Sequence, residues 1–383
     1  MKKKILIIGS IADFGGREIE VKNIIDSLSS DYGVKLFSNV SMTEKSMALV
    51  GKNFQWTSLY KELYNSNFLI KGLAWLNKNW NQSDLPSYLL VSNKVSALFF
   101  DFNKENKSIL NKQIASVDAV LFCGVFTNGY LKVIIDFCLE LNKPFIFRTT
   151  GTITEIPNEV EKEIQKSNLI FVHSTSNAVV FKGDYFKNIS VVDQSALLEK
   201  SLITIGINET KELKFGFIGR FSNEKGILEL LDIFKAINER LIVAGGGPLQ
   251  NQVESICVEN NNLDYLGEIK ANEIDVFFEK IDVLIIPSYE EAGPLVGIEA
   301  MAAGKLIIST RVGAMMERLK DTQNNFWFDI NNENSLLEII ESINQKSPET
   351  IKSIREINRE KYLKNYSFNN IKKQYLEAFA KIL

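Results

Sequence analysis

Only one of the 383 residues is histidine and only three are cysteine. Cys123, Cys138 and Cys257 are odd in number, widely spaced and set in apolar or helical surroundings. This excludes a disulfide framework or a cysteine-built metal site, and they read as buried thiols of a reducing cytoplasm. No run approaches the roughly 18 apolar residues that a membrane span requires, so a bilayer crossing is not expected. The start, Met1-Lys2-Lys3-Lys4 before Ile5 to Ile8 and Gly9, opens as a signal peptide would. Its apolar run is too short for one and reads as a first strand. Low-complexity tracts and fixed-period repeats are also lacking. The net charge of −3 hides an uneven split: residues 1–205 carry 23 Lys+Arg against 20 Asp+Glu, and the remainder 21 against 27. A broad basic face for nucleic acid is therefore not expected.

What is present describes a globular chain, with 45% hydrophobic and 24% charged residues and length enough for two domains with their own cores. Short apolar runs alternate with helical patterns. Strands are predicted at Ile5 to Ile8, Ala119 to Cys123, Pro144 to Phe147 and Leu169 to Val172, with helices at Thr127 to Leu141 and Asn158 to Lys166. After the polar stretch Asn208-Glu209-Thr210-Lys211-Glu212 the same grammar restarts, with strands at Phe215 to Ile218, Leu241 to Ala244, Leu263 to Leu266, Val283 to Ile286 and Leu306 to Ser309. Such alternation implies two α/β domains with parallel sheets, joined by a linker near 190–212.

Ligands of open α/β sheets bind beyond the carboxyl ends of the strands, so the residues just after each apolar run matter most. After Phe215 to Ile218 comes Gly219-Arg220-Phe221-Ser222-Asn223-Glu224-Lys225-Gly226. Ser222 or Asn223 can cap a helix beginning near Glu224, with Lys225 in its first turn, where the helix dipole disfavours a cation and a bound anion would offset the penalty. Arg220 can grip the same anion; a solvated Lys and a surface Arg is the alternative. The turn Gly245-Gly246-Gly247-Pro248 lets something approach the backbone closely. Near the C-terminal third, Pro294 has the φ suited to a first helical position, so Leu295 to Ala303 is predicted as a helix, with Glu291 on the loop before it. Glu299 is its only polar residue, a carboxylate drawn toward the core and in need of donors such as ligand hydroxyls. The alternative is that it merely favours the N-terminal half through the macrodipole.

Together these segments resemble the C-terminal domain of retaining GT-B glycosyltransferases of the group 1, family 4 type. The matching pieces are Gly219-Arg220 with Lys225-Gly226; Ala244 to Pro248; Leu266-Gly267; and Pro287-Ser288 through Glu291 to Glu299 and Gly304, with Glu291 and Glu299 as the family's E-x7-E element. The likeness covers about residues 213–320, whereas the first half matches in its strand-helix grammar and the Gly15-Gly16 turn. The resemblance implies a GT-B fold, two Rossmann-like domains facing each other across a cleft: residues 1–200 on the acceptor side, residues 201–361 binding a nucleotide-sugar, and a C-terminal helix, 362–383, packing back on the first. It implies Arg220 and Lys225 at the diphosphate, Glu299 at the ribose, and Glu291 facing the donor sugar. Gly219, Gly245, Gly293, Pro294, Leu295 and Val296 line the donor, and the Gly15-Gly16 loop approaches it from the opposite domain. With Glu291, Arg220 and Lys225 as catalytic groups, it implies retaining transfer from a UDP- or GDP-sugar to a glycan or lipid-linked acceptor, as in cell-surface polysaccharide biosynthesis. Neither a cofactor nor a metal is expected, and no Asp-x-Asp pair of the other large glycosyltransferase fold is present.

One departure concerns a histidine that many members carry before a glycine near the donor sugar. In Phe147-Arg148-Thr149-Thr150-Gly151 its place is taken by Thr150. The lone His173, beside the strand Leu169 to Val172, reads as a packed residue, and no catalytic base is assigned. Residues 54–80 mix Phe54, Trp56, Tyr60, Tyr64, Phe68, Trp75 and Trp80 with Lys61, Lys71 and Lys78. They read either as a peripheral membrane contact or acceptor cleft, or as an ordinary amphipathic helix packed on its own sheet. Two other functions stay open: a nucleotide-sugar 2-epimerase of the same fold, and a non-catalytic sugar-nucleotide-binding protein. A cytoplasmic protein, peripheral at the inner face of the membrane in the first reading, is expected.

Overall fold

The structure, a computed structural model, describes residues 2–51, 54–153, 155–181 and 188–383. The chain divides into two units, the first of residues 1–172, 178–192 and 372–383, the second of 173–177 and 193–371. In the first unit the strands are β1 (Lys4–Gly9), β2 (Gly33–Ser38), β3 (Gln55–Ser58), β4 (Ala119–Gly124), β5 (Phe145–Thr149), β6 (Leu169–Val172) and β7 (Ile189–Val191), in the order β3-β2-β1-β4-β5-β6-β7. In the second they are β8 (Phe215–Ile218), β9 (Leu241–Ala244), β10 (Leu263–Tyr265), β11 (Val283–Ile286), β12 (Leu306–Ser309) and β13 (Phe326–Trp327), in the order β10-β9-β8-β11-β12-β13. The pairings among the described residues are parallel, as crossover helices demand. Helices on both faces explain why β4, β6, β9 and β11 are buried along their whole length and read as unbroken apolar runs.

The predicted strands are all present; β2, β3, β7 and β13 were not anticipated. β3 and β13 are edge strands, β3 half-polar and β13 only two residues long. β2 opens with Gly33 and carries Lys35, and β7 lies where a linker was expected. The helix predicted from Thr127 starts at Leu131, because Asn128 closes a turn first, its N–H donating to the Val125 carbonyl.

The unit boundary falls at 192/193 instead of 200/201, and the segment that joins the first unit starts at Lys372 instead of 362. Tyr362 accounts for the later start. It is buried in a second-unit cluster with Leu202 and Met301, its hydroxyl accepting the Ala196 N–H (3.2 Å) and donating to Glu199 (2.8 Å). Tyr375 and Phe379 instead lie on Phe171 of the first unit, at ring separations of 5.0 and 6.1 Å. Among the described residues no helix is long and apolar enough to cross a membrane.

Each sheet reverses its order once, between β1 and β4 and between β8 and β11. At such a switch point the loops leaving adjacent strands turn to opposite faces and open a crevice beyond the carboxyl ends. The two loops at the second switch point are those that carry the residues singled out above.

Candidate functional site

After β8 the chain makes one 3₁₀ turn, Asn223–Lys225, passes Gly226 at φ 63° and ψ 26°, and begins its α-helix at Ile227. The helix predicted from Glu224 is thus displaced, and Lys225 stands before it instead of in its first turn. Packing is the reason. A Cβ at Gly226 would lie 2.2 Å from the Pro287 carbonyl oxygen, so the left-handed glycine lets the β8 loop close onto the β11 loop. The Tyr289 N–H, donating to the Glu224 carbonyl at 2.9 Å, fastens the same pair of loops. As a result Lys225 Nζ donates to Glu291 Oε1, which also accepts from Ser288 Oγ at 3.3 Å. Ser288 is itself held by Thr310, whose hydroxyl donates to its carbonyl at 2.6 Å. Arg220 is exposed on the β8 loop. The Ser222 hydroxyl, 2.6 Å away, does most to hold the Glu224 carboxyl below its ordinary range, with Lys225 and Arg220 adding to it.

The helix Leu295–Ala302 follows, with Pro294 at its N-cap (φ −59°, ψ 118°) and not at its first helical position. The Gly297 N–H is already turned to the Pro294 carbonyl (3.1 Å), while Leu295 and Val296 head the helix, where N–H groups have no intrahelical acceptor. Glu299 is 1% exposed, and its Oε2 has no hydrogen-bond partner among the described residues. Burial alone pushes this carboxyl up to about 8. A helix dipole favours the ionised form, so the macrodipole reading does not account for a carboxyl pushed the other way.

Arg318, fully buried, was not found by sequence reasoning. Its Nε and Nη2 grip the Asp193 carboxylate at 2.9 and 2.6 Å, and Nη1 donates to the Pro294 carbonyl at 2.6 Å. In a trans peptide the carbonyl and the next N–H point opposite ways, so turning the Pro294 carbonyl toward Arg318 turns the Leu295 N–H away from it. The only signal in the sequence is a charged residue in the apolar stretch Val312 to Leu319, which does not reveal burial. Gly293 fills the remaining space: a Cβ there would sit 2.9 Å from Arg318 Nη2 and 3.4 Å from His173 Cβ. His173 is brought there by Glu317, which accepts the Thr175 and Ser176 N–H groups (3.0 and 2.9 Å) and the Thr175 hydroxyl (2.6 Å). Burial raises the Glu317 carboxyl, but these bonds outweigh it and hold the group below its ordinary range.

The glycine turn after β9 does admit a close backbone approach. A Cβ at Gly245 (φ 134°) would meet the Gly219 carbonyl oxygen at 1.9 Å, and the Gly245 N–H donates to the Gly267 carbonyl at 2.9 Å. The backbone that approaches closely is that of the β8 loop, a strut that sets the height of Gly219 and Arg220.

Gly15 and Gly16 belong to the first unit, where Gly15 caps the helix Gly16–Leu28. Arg17 donates from Nε to Thr150 Oγ1 and from Nη1 to the Ser10 carbonyl, both at 2.8 Å, so Thr150 is a buried, hydrogen-bonded hydroxyl. At the first switch point Ser10, Asn39 and Asn128 bond to one another at 2.6–3.2 Å, a polar trio that the sequence did not single out.

Residues 202–361 match the family described as Glycosyl transferases group 1. An uncharacterized glycosyltransferase of Methanocaldococcus jannaschii is 31% identical over 214 residues, which are 53% of this chain and 60% of that protein. The lipopolysaccharide 1,2-N-acetylglucosaminetransferase of Salmonella typhimurium is 32% identical over 121 residues, 27% of this chain and 32% of that one. The chain thus spans less than two thirds of these relatives. The crystal structure of Anabaena HepE in complex with UDP-glucose superposes with a TM-score of 0.71 at 15% identity, covering 99% of this chain and 100% of that one. That likeness is one of fold, and the fold is GT-B.

Proposed function

With residues 202–361 belonging to the group 1 glycosyl transferases, we propose that the protein moves a sugar from a UDP- or GDP-sugar to a glycan or lipid-linked acceptor, with retention of configuration, in the building of a cell-surface polysaccharide. The observation that carries this reading is the buried Glu299 carboxyl, with one oxygen unpartnered among the described residues, on the helix that directly follows the loop of the Lys225–Glu291 pair. Two ribose hydroxyls are the donors this carboxylate lacks. The diphosphate would then meet Lys225, Arg220 and the N–H groups of Leu295 and Val296. Gly293 and Pro294 would shape the loop around it, Gly219 and Gly245 its side-chain-free floor. Glu291 would face the sugar. The Salmonella relative and the UDP-glucose complex of HepE support the substrate class.

A leaving diphosphate gains negative charge as the glycosidic bond breaks, and preplaced cations stabilise that charge most in the transition state. Lys225 and Arg220 supply it, so the proposal includes no metal. Before the donor arrives, Glu291 holds Lys225 in place; the diphosphate would take over as its partner. With no side chain assigned as base, the acceptor's proton goes to the departing phosphate in a front-face attack. The same reading has the enzyme work in the cytoplasm, at the inner face of the membrane.

The test is thermal stabilisation by nucleotides. A ligand that binds only the folded state at 100 times its Kd adds about 2.7 kcal/mol. UDP or GDP should therefore raise the melting temperature of the parent and leave Glu299→Ala and Lys225→Ala unmoved. No shift with any nucleoside diphosphate at millimolar concentration would sink the proposal.

A further inference from the structure

In the first unit the helix Phe68–Trp80 presents the wrong side to solvent. Ile70 and Ala74 are buried, yet Phe68 is 85% exposed, Leu69 60%, Trp75 58%, Leu76 56% and Trp80 90%. At about 100° per residue these five share one arc of the helix with Gly72 and the single polar residue Asn79, and Lys71 and Lys78 stand together on its edge. The helix does pack on its own unit's core, through Ile70 and Ala74, but that packing leaves this arc outside. A second apolar group follows at Val95, Leu98 and Phe99, which are 51%, 81% and 69% exposed. The Leu90 carbonyl ties the two segments together by accepting from Asn77 of the helix (3.4 Å) and from Asn93 (3.1 Å).

We propose that this face docks on a bilayer surface that carries anionic phospholipid. Single exposed apolar residues are normal, but a contiguous aromatic and aliphatic arc marks an interaction site. Its chemistry selects the occupant. Residues 63–100 contain Lys71, Lys78 and Lys94 but only one acid, Asp84. Lysines along one edge of an apolar arc with tryptophans are what a helix lying in the headgroup plane requires: rings and leucines enter the acyl boundary while the lysines reach lipid phosphates. A second copy of this chain would bring the same lysines and only Asp84 to meet them. The inference deepens the acceptor side of the proposed function, but only the choice of a lipid-linked acceptor rests on that reading.

Co-sedimentation of the full chain with phosphatidylcholine vesicles, with and without phosphatidylglycerol, tests it without nucleotide or acceptor. The expected result is binding to the anionic vesicles that weakens with salt, with a blue shift of tryptophan emission. Trp75→Ser with Trp80→Ser should weaken binding about tenfold or more. Lys71→Glu with Lys78→Glu should remove the salt-sensitive part. Both pairs lie on the surface and should melt as the parent does, which separates lost docking from lost folding. Failure to sediment at low salt, or binding that ignores both lipid charge and the lysine variant, would overturn the proposal. So would a dimer in light scattering that Trp75→Ser with Trp80→Ser dissolves, since that assigns the face to a second copy. Because no nucleotide is present, failure here leaves the donor-site test standing.

Discussion

Glu299 is held as an acid up to about pH 8, whereas in the unfolded chain it loses its proton near the ordinary value of 4.5. Between those values the unfolded state binds fewer protons, so stability contributed by this group is full below pH 4.5, falls as pH rises, and is lost above about 8. Glu299→Gln removes the titration. The variant should gain on the parent with rising pH across that window, by up to roughly 1.4 kcal/mol per unit in urea melts at constant salt. Curves that stay parallel from pH 5 to 8 would show that the carboxyl is not held neutral. Lys305 does not confuse the reading: burial pushes it down to about 8, so its window opens where that of Glu299 closes and has the opposite sign.

The loop and helix from Gly293 to Ala302 owe their setting to an element that touches them from the side. Arg318 spans the Asp193 carboxylate and the Pro294 carbonyl, both buried, and so acts on the helix N-terminus through its first peptide. Arg318→Ala leaves Asp193 buried without its cation and should cost about 3–5 kcal/mol in urea unfolding. Removing both partners, Arg318→Ala with Asp193→Ala, should cost less than the single change, since no charge is then stranded. In both variants the Pro294 carbonyl is released, and nucleotide stabilisation should drop even in the double variant. A double variant with full nucleotide response would reduce Arg318 to a structural strut. The β8 loop teaches the same lesson in a different way: Gly226 sets where the helix starts, and with it where Lys225 points.

The reversal of strand order between β8 and β11 in the second sheet is what brings Lys225 and Glu291 together across 66 residues of sequence. In the proposed front-face attack Glu291 would steady the donor sugar and not bond with it. Glu291→Gln should therefore lower turnover by on the order of 100-fold without abolishing it, and NMR should show product of unchanged anomeric configuration. An isolated covalent glycosyl-Glu291 adduct would replace this mechanism with a double displacement. Much of this architecture was legible beforehand. Nine strands, the helix after Pro294 and the positions of Glu291, Glu299 and Arg220 on loop or helix follow from local pattern, because strands buried on both faces must be apolar runs and glycine and proline punctuate them, whereas Lys225 was expected in a helix that starts only after it. The short strands β2, β3, β7 and β13 were not legible, being too brief or too mixed with polar residues to stand out from loop. Sequence by itself determined the order of elements and which side chains end them. Only the tertiary structure decided that Glu299 Oε2 has no partner among the described residues, that Arg318 is buried under Pro294, that Lys225 meets Glu291, and that the apolar arc of Phe68–Trp80 faces outward. The physical reason is that burial and pairing are relations between residues distant in the chain, which no local spacing encodes.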